Sequence, residues 1–170
     1  MDIREILDKA LIELGHQASP FLIAESALVL RAATTCITPV KGAMDAVTTL
    51  VDAGYRLCIC SNTQRAFTIG ELRAFGLLSF FNPIVFSSDV GACKPEMAIF
   101  NRIIELTGIA NPSDIVHIGD NYIDDIEGAK RVGLRTIWLD RDDSNLPYPL
   151  ADCRITLSDL PNLIDVIHGL

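Results

Sequence analysis

At 170 residues, 49% of them hydrophobic, the chain has the length and apolar content of one domain with a sizeable core. Its formal charge of −8 and pI near 4.7 speak against nucleic acid or an anionic membrane as the main partner, because the overall field would repel both. No apolar run approaches the ~20 residues needed to span a bilayer, the N-terminus lacks a basic-then-apolar signal layout, and five irregularly spaced cysteines without zinc spacing suit a reducing cytoplasm.

Residues 2–14 read as a helix, with Ile3, Ile6, Leu7, Ala10, Leu11 and Leu14 on one face and Gly15 at its end. Ser19-Pro20 reads as an N-cap followed by a first-turn proline. Residues 21–35 are apolar nearly all round and read as a second helix, with 27–30 open to a reading as a short buried strand. After Pro39, helices and strands alternate: helix 40–53, strand 56–60, helix 64–75, strand 84–86, helix 95–107, strand 115–118, helix 123–133 and strand 135–139. A polar loop over 140–150, a short strand at 153–156 and a helix over 158–167 complete the chain. Strands separated by helices imply right-handed crossovers, hence a doubly wound, Rossmann-like parallel α/β sheet.

In such a sheet, ligands sit beyond the carboxyl ends of the strands. Ser61, Asn62 and Thr63 follow one strand, Asp89 another, and Asp120 a third, with Asp124 and Asp125 on the turn after it. Lys94 enters the same edge through its loop. A hydroxyl, an ammonium and clustered carboxylates able to hold Mg²⁺ are the parts phosphoryl transfer needs. Each part alone has a plainer reading: Ser61 as turn chemistry, Lys94 as a solvated helix start, Asp120 as a helix cap with Asp124 and Asp125 in water. His117 reads as a core or partly satisfied histidine, Trp138 as packing, Tyr122 as a turn aromatic and Arg141 as a solvated charge.

The joint order resembles the haloacid dehalogenase-like (HAD) superfamily of hydrolases from about residue 39 to the C-terminus. Cys58-Ile59-Cys60-Ser61-Asn62-Thr63 is similar to the family's second motif, whose hydroxyl binds the transferring phosphoryl group. Lys94, in Gly91-Ala92-Cys93-Lys94-Pro95, is similar to the third, whose lysine steadies nucleophile and phosphoryl charge. Gly119-Asp120 with Asp125 and Gly128-Ala129 is similar to the fourth. By that resemblance Ser61 and Lys94 are catalytic, Ser61, Asn62, Thr63 and Lys94 bind substrate, and Asp120, Asp125 and then Asp124 hold Mg²⁺. Dehalogenases typically carry Ser-x-Asn where Gly119-Asp120 stands, so the resemblance points to the metal-dependent, phosphatase-like branch and a small phosphorylated substrate. Residues 1–36 resemble the latter part of a helical cap, a lid that excludes water, and 37–170 the α/β core.

The family's first motif, Asp-x-Asp-x-Thr after a buried strand, does not occur in this sequence. Its strand lies in the family between those leading to Ser61 and Asp120. The segment 28–35 can be aligned as a degenerate copy, with Arg31 and Ala33 where the two carboxylates belong; the better reading is the last cap helix. Without that aspartate no aspartyl-phosphate forms, so the expectation is a truncated HAD-type hydrolase, inactive as it stands. The alternative is a non-catalytic relative that binds phosphate, metal or a protein partner. A response-regulator-like domain would need an acidic pair after its first strand, which is not found.

Overall fold

Helix α1 spans Ile3–Glu13 and α2 spans Pro20–Thr34 in the computed structural model, which describes residues 2–15, 17, 19–34, 37–144 and 146–170, apart from the side chains at 28 and 30–34. The Ser19 hydroxyl accepts the Leu22 N–H at 3.2 Å, so the predicted cap forms. Residues 27–30 are helical, and the strand reading of that segment falls away; the side chains of Arg31 and Ala33 lie outside the described residues. The Ile3 N–H donates to the Gln64 side chain at 2.9 Å, which places the start of α1 beside the turn after Ser61.

All five predicted strands form: β1 (Leu57–Ser61), β2 (Phe81–Phe86), β3 (Val116–Gly119), β4 (Arg135–Leu139) and β5 (Cys153–Ile155). Helix α3 (Ala43–Asp52) leads into β1, and α4 (Arg65–Ala74) joins β1 to β2. A short α5 (Ser87–Val90) and α6 (Met97–Thr107) separate β2 from β3. Every strand pair is parallel. The result is a Rossmann-type α/β fold, but its sheet comes in two parts, β1–β2 and β3–β4–β5. Among the described residues no ladder joins β1 to β3.

Two apolar cores bridge the half-sheets, one on each face. Leu50 of α3 meets Ile137, Ile155 and Leu163, with Leu57, Val116 and Ile118 packed against them. On the other face Phe100 and Ile103 of α6 meet Val85 and Leu134, with Cys58 and Cys60 alongside. The period of two along a strand explains the sorting: Leu57 and Ile59 turn one way, Cys58 and Cys60 the other. Burial raises the Cys60 thiol to about 11, so it is an inert core group.

The predicted helix over 123–133 divides in two. A wider, π-type turn covers Tyr122–Glu127, and α7 (Gly128–Arg131) follows it. The predicted helix over 158–167 also divides, into a 3₁₀ stretch Leu157–Asn162 and α8 (Leu163–His168). Pro161 lies inside the first part, where its missing N–H interrupts the regular ladder.

Candidate active site

Ser61 is the last residue of β1, and its Oγ accepts the Thr63 N–H at 3.1 Å. Hydroxyls continue the chain: Ser61 Oγ lies 2.8 Å from Thr63 Oγ1, which lies 2.8 Å from Thr68 Oγ1. Ser61 therefore does shape the turn, and as a hydroxyl it has more than one hydrogen-bonding valence to use. Asn62 has a different occupation. Its Nδ2 donates to the Lys94 carbonyl at 3.0 Å and its Oδ1 accepts the Lys94 N–H at 2.8 Å. That two-point clamp draws the Lys94 loop to the end of β1.

The Lys94 ammonium reaches on to Asp125 Oδ1 in a close ion pair. His117 Nε2 approaches the same oxygen at 3.2 Å, and the Asn121 N–H donates to Asp125 Oδ2 at 3.0 Å. Burial pushes the Asp125 carboxyl up, but the His117 hydrogen bond and the Lys94 charge outweigh it and hold the group at about 2. Asp125 is thus ionised and fully partnered, with only 3% of its surface exposed.

Two local features turn Asp125 inward. The Asn121 side chain caps the π-type turn, accepting the Ile123 and Asp124 N–H groups at 3.1 and 3.0 Å. The widened turn, a device common at functional sites, brings Asp125 back over the strand end. Gly119 makes the space: a Cβ there would overlap the Asp125 side chain. Gly128 serves a similar close approach, since its Cβ would meet Phe100 Cε2 at 2.6 Å and Pro95 Cα at 2.9 Å.

Asp120 faces elsewhere. Its carbonyl accepts the Trp138 indole N–H at 3.2 Å, and its carboxylate pairs with Arg141 at 3.1 Å. Asp124 accepts from the Asn121 amide at 3.1 Å and is half-buried. Each of the three carboxylates predicted to share Mg²⁺ therefore has its own partner. Among the described residues no group of three or more His, Cys, Asp or Glu side chains is placed to hold a metal ion. The donor set as arranged does not fit a shared Mg²⁺ site. Asp89 is likewise committed, to Arg65 at 2.6 Å and to the Phe86 N–H at 2.9 Å.

Ser61 and Lys94, with Asp125, come to one rim of the sheet, linked through Asn62, and Asp120 follows Gly119 on that rim. Two partners escaped the sequence reading. His117 is the partly satisfied histidine of the β3 strand, and its partner is Asp125, whose surroundings it completes with its ring edge-on to Phe100 at 5.3 Å. The available signal was its place two residues before Gly119, on the same strand face. Arg141 is not a free solvated charge, because it pairs with Asp120. Nothing local signals that contact, which spans two adjacent strand ends. Tyr122 accepts the Leu150 N–H at 2.9 Å and stacks edge-on to Trp138, so both aromatics anchor the 140–150 loop.

Comparison with known proteins agrees with this architecture. The model of the haloacid dehalogenase-like hydrolase family matches residues 1–139. Haloacid dehalogenase-like hydrolase domain-containing protein 3 of Danio rerio is 35% identical over 111 residues, covering 64% of this chain and 45% of that protein. Pyrimidine 5'-nucleotidase YjjG of Escherichia coli is 30% identical over 114 residues, covering 67% of this chain and 50% of that protein. The chain therefore spans about half the length of the curated relatives it matches. The solved structure of a 2-haloacid dehalogenase from Pseudomonas syringae superposes with a TM-score of 0.71 at 26% identity, covering 97% of this chain and 70% of that one. By its family-model match and by its fold, this chain belongs to the haloacid dehalogenase-like hydrolases.

Proposed function

We propose that the rim formed by Ser61, Thr63 and Lys94 binds the phosphoryl group of a small phosphorylated molecule, as the phosphate-handling part of a HAD-type phosphohydrolase. The observation that carries this reading is the Asn62 clamp, which holds the Lys94 loop against the Ser61 turn. Serine and threonine hydroxyls and a lysine ammonium are donors suited to equatorial phosphoryl oxygens. Asn62 and Asp125 then act as positioning residues, the first on the Lys94 main chain and the second on its ammonium. The name of the pyrimidine 5'-nucleotidase relative supports a phosphorylated substrate for this family branch.

Helices α1 and α2, residues 1–36, form part of a cap in this reading, and 37–170 form the core. The bond from the Ile3 N–H to Gln64, next to the Thr63 turn, supports that division. Mg²⁺ enters only through the family, and its binding at Asp120 competes with Arg141. Among the described residues no helix is long and apolar enough to cross a membrane, and four described cysteines are unpaired; a cytoplasmic setting suits both. A second reading, a non-catalytic phosphate-binding relative, is favoured by one feature. The rim carboxylates are each held by a cation of the chain, Asp125 by Lys94 and Asp120 by Arg141.

Calorimetric titration with inorganic phosphate and with phenyl phosphate tests the site. Binding by the wild-type chain and its loss in Lys94→Met support the proposal; no heat from either anion overturns it. Turnover of an aryl phosphate by the same protein separates the readings. The expectation for this 170-residue chain is binding without turnover, and Mg²⁺-dependent hydrolysis would remove the inactive form of the first reading and the whole of the second.

A further inference from the structure

Asp125 is met by donors from three separate elements. Lys94 arrives on the loop before α6, the Asn121 N–H opens the π-type turn, and His117 stands in β3. They differ in what they can fix. An ammonium is a compact charge on a flexible stem with rotatable donors, so it follows a carboxylate more readily than it orients one. The Asn121 N–H anchors Asp125 Oδ2 at 3.0 Å, which leaves the carboxylate free to turn about that oxygen. A second fixed donor on Oδ1 stops the turn, and His117 Nε2, at 3.2 Å, is in place to be it. The carboxylate is ionised and can only accept, so the nitrogen that faces it carries the proton.

The imidazole is itself firmly held. Its main chain pairs with that of Thr136 in β4, a fully buried residue. Its ring meets the fully buried Phe100 edge-on at 5.3 Å. Phe100 in turn lies against Gly128, and the missing Cβ that admits Phe100 also lets Pro95 close in. Pro95 follows Lys94 directly in the chain. The contacts therefore run in a circuit, from Lys94 through Pro95, Gly128, Phe100, His117 and Asp125 back to the Lys94 ammonium. Its last two links are polar, and His117 makes the first of them.

We propose that His117 is a positioning residue for Lys94: its Nε2–H fixes the plane of the Asp125 carboxylate, and the fixed Oδ1 holds the ammonium at the rim where phosphate binds. The final step rests on the phosphate reading of that rim, whereas the placement of the ammonium does not.

The test uses His117→Gln, His117→Asn and His117→Phe in the intact chain. The glutamine amide reaches the position of Nε2; the same amide on the shorter asparagine stem does not; phenylalanine keeps a ring and has no donor. The first measurement involves no phosphate. An ammonium held in a buried ion pair exchanges slowly with water, so in side-chain NMR of nitrogen-labelled lysine at low temperature Lys94 should give a resolved signal, assigned by its loss in Lys94→Met. The signal should persist in His117→Gln and broaden away in His117→Asn and His117→Phe. The second measurement is calorimetric titration with inorganic phosphate, where affinity should fall about threefold to tenfold in His117→Asn and His117→Phe and stay within about twofold in His117→Gln. Should His117→Phe fail to fold, the comparison of the two amides carries the test. No resolved Lys94 signal in the wild type would overturn the proposal, as would a signal unchanged in His117→Asn. Loss of the signal in His117→Gln as in His117→Asn would also overturn it, by making the imidazole a packing group. A Lys94 signal that depends on residue 117 as expected, in a chain that binds no phosphate, supports the placement of the ammonium and overturns the phosphate reading alone.

Discussion

Asp125 and Asp120 follow the same strand on the same rim, and each pairs with a cation, yet the two pairs differ in kind. Asp125 is 3% exposed and takes donors from Lys94, His117 and the Asn121 backbone. Asp120 meets Arg141 with about half of each side chain in water. An exposed pair is weakened by water and salt and by the entropy of holding two flexible chains, so it is worth about 0–1 kcal/mol. A buried pair adds little net stability over an apolar substitute, but losing one partner leaves an unmatched buried charge. The rim thus has a rigid interior side that orients Lys94 and an adjustable outer side at Asp120.

The largest effect should come from breaking the inner side. Asp125→Ala removes the acceptor for Lys94 and His117 together. The expected loss is about 3–5 kcal/mol, read as a lowered urea midpoint. Set against total stabilities of about 5–15 kcal/mol, that is a severe change. A midpoint unmoved by the substitution would mean that Asp125 is no more essential to the fold than Asp120, and the contrast would vanish.

Acid should act on the same group with a smaller effect. The Asp125 carboxyl titrates near 2 in the fold, below its ordinary value of 3.8. The unfolded chain therefore binds its proton first as pH falls. The stability this carboxylate contributes is complete above about pH 4 and is lost as pH drops through the folded value, an effect of about 2 kcal/mol. Other paired carboxylates, such as Asp89 held low by its Arg65 hydrogen bonds, respond in the same direction. The measurement is accordingly a difference: the stability gap between wild type and Asp125→Asn should narrow between pH 5 and pH 2. A constant gap would show that Asp125 is not held low.

Much of this was legible in the sequence, for reasons that differ by residue. All five strands follow from short apolar runs bounded by Gly, Pro, Asn and Asp. Ser61, Lys94 and Asp120 could be assigned to one rim because in a parallel sheet the carboxyl end of every strand lies at the same edge. The π-type turn was not legible, since it depends on Gly119 leaving room for Asp125 and on Asn121 capping a wider loop. The partnership of each carboxylate was equally hidden. Spacing places Asp120, Asp124 and Asp125 near one another but does not say which turns inward. That choice is made by Lys94 and His117, which come from other parts of the chain. Residues 27–30 are helical and so do not supply a strand between β1 and β3, where the sheet divides.

The outer side of the rim gives the smallest effect on folding and the sharpest contrast. Arg141→Ala should change stability by no more than about 0.5 kcal/mol, because its pair with Asp120 is exposed. Its effect on cations should be larger. Arg141 neutralises Asp120 beside a cavity that Asp140 and Asp142 also line. Removing that guanidinium exposes an acidic surface on a chain that already carries −8. Mg²⁺ affinity measured by calorimetry should then rise by roughly twofold to fivefold, within the range of one exposed ion pair. Asp120→Asn added to Arg141→Ala should cancel the gain, which assigns it to the carboxylate and not to general charge. If Arg141→Ala instead destabilised the fold as strongly as Asp125→Ala, the outer pair would be structural, and burial would not be what separates two carboxylates that share one strand end.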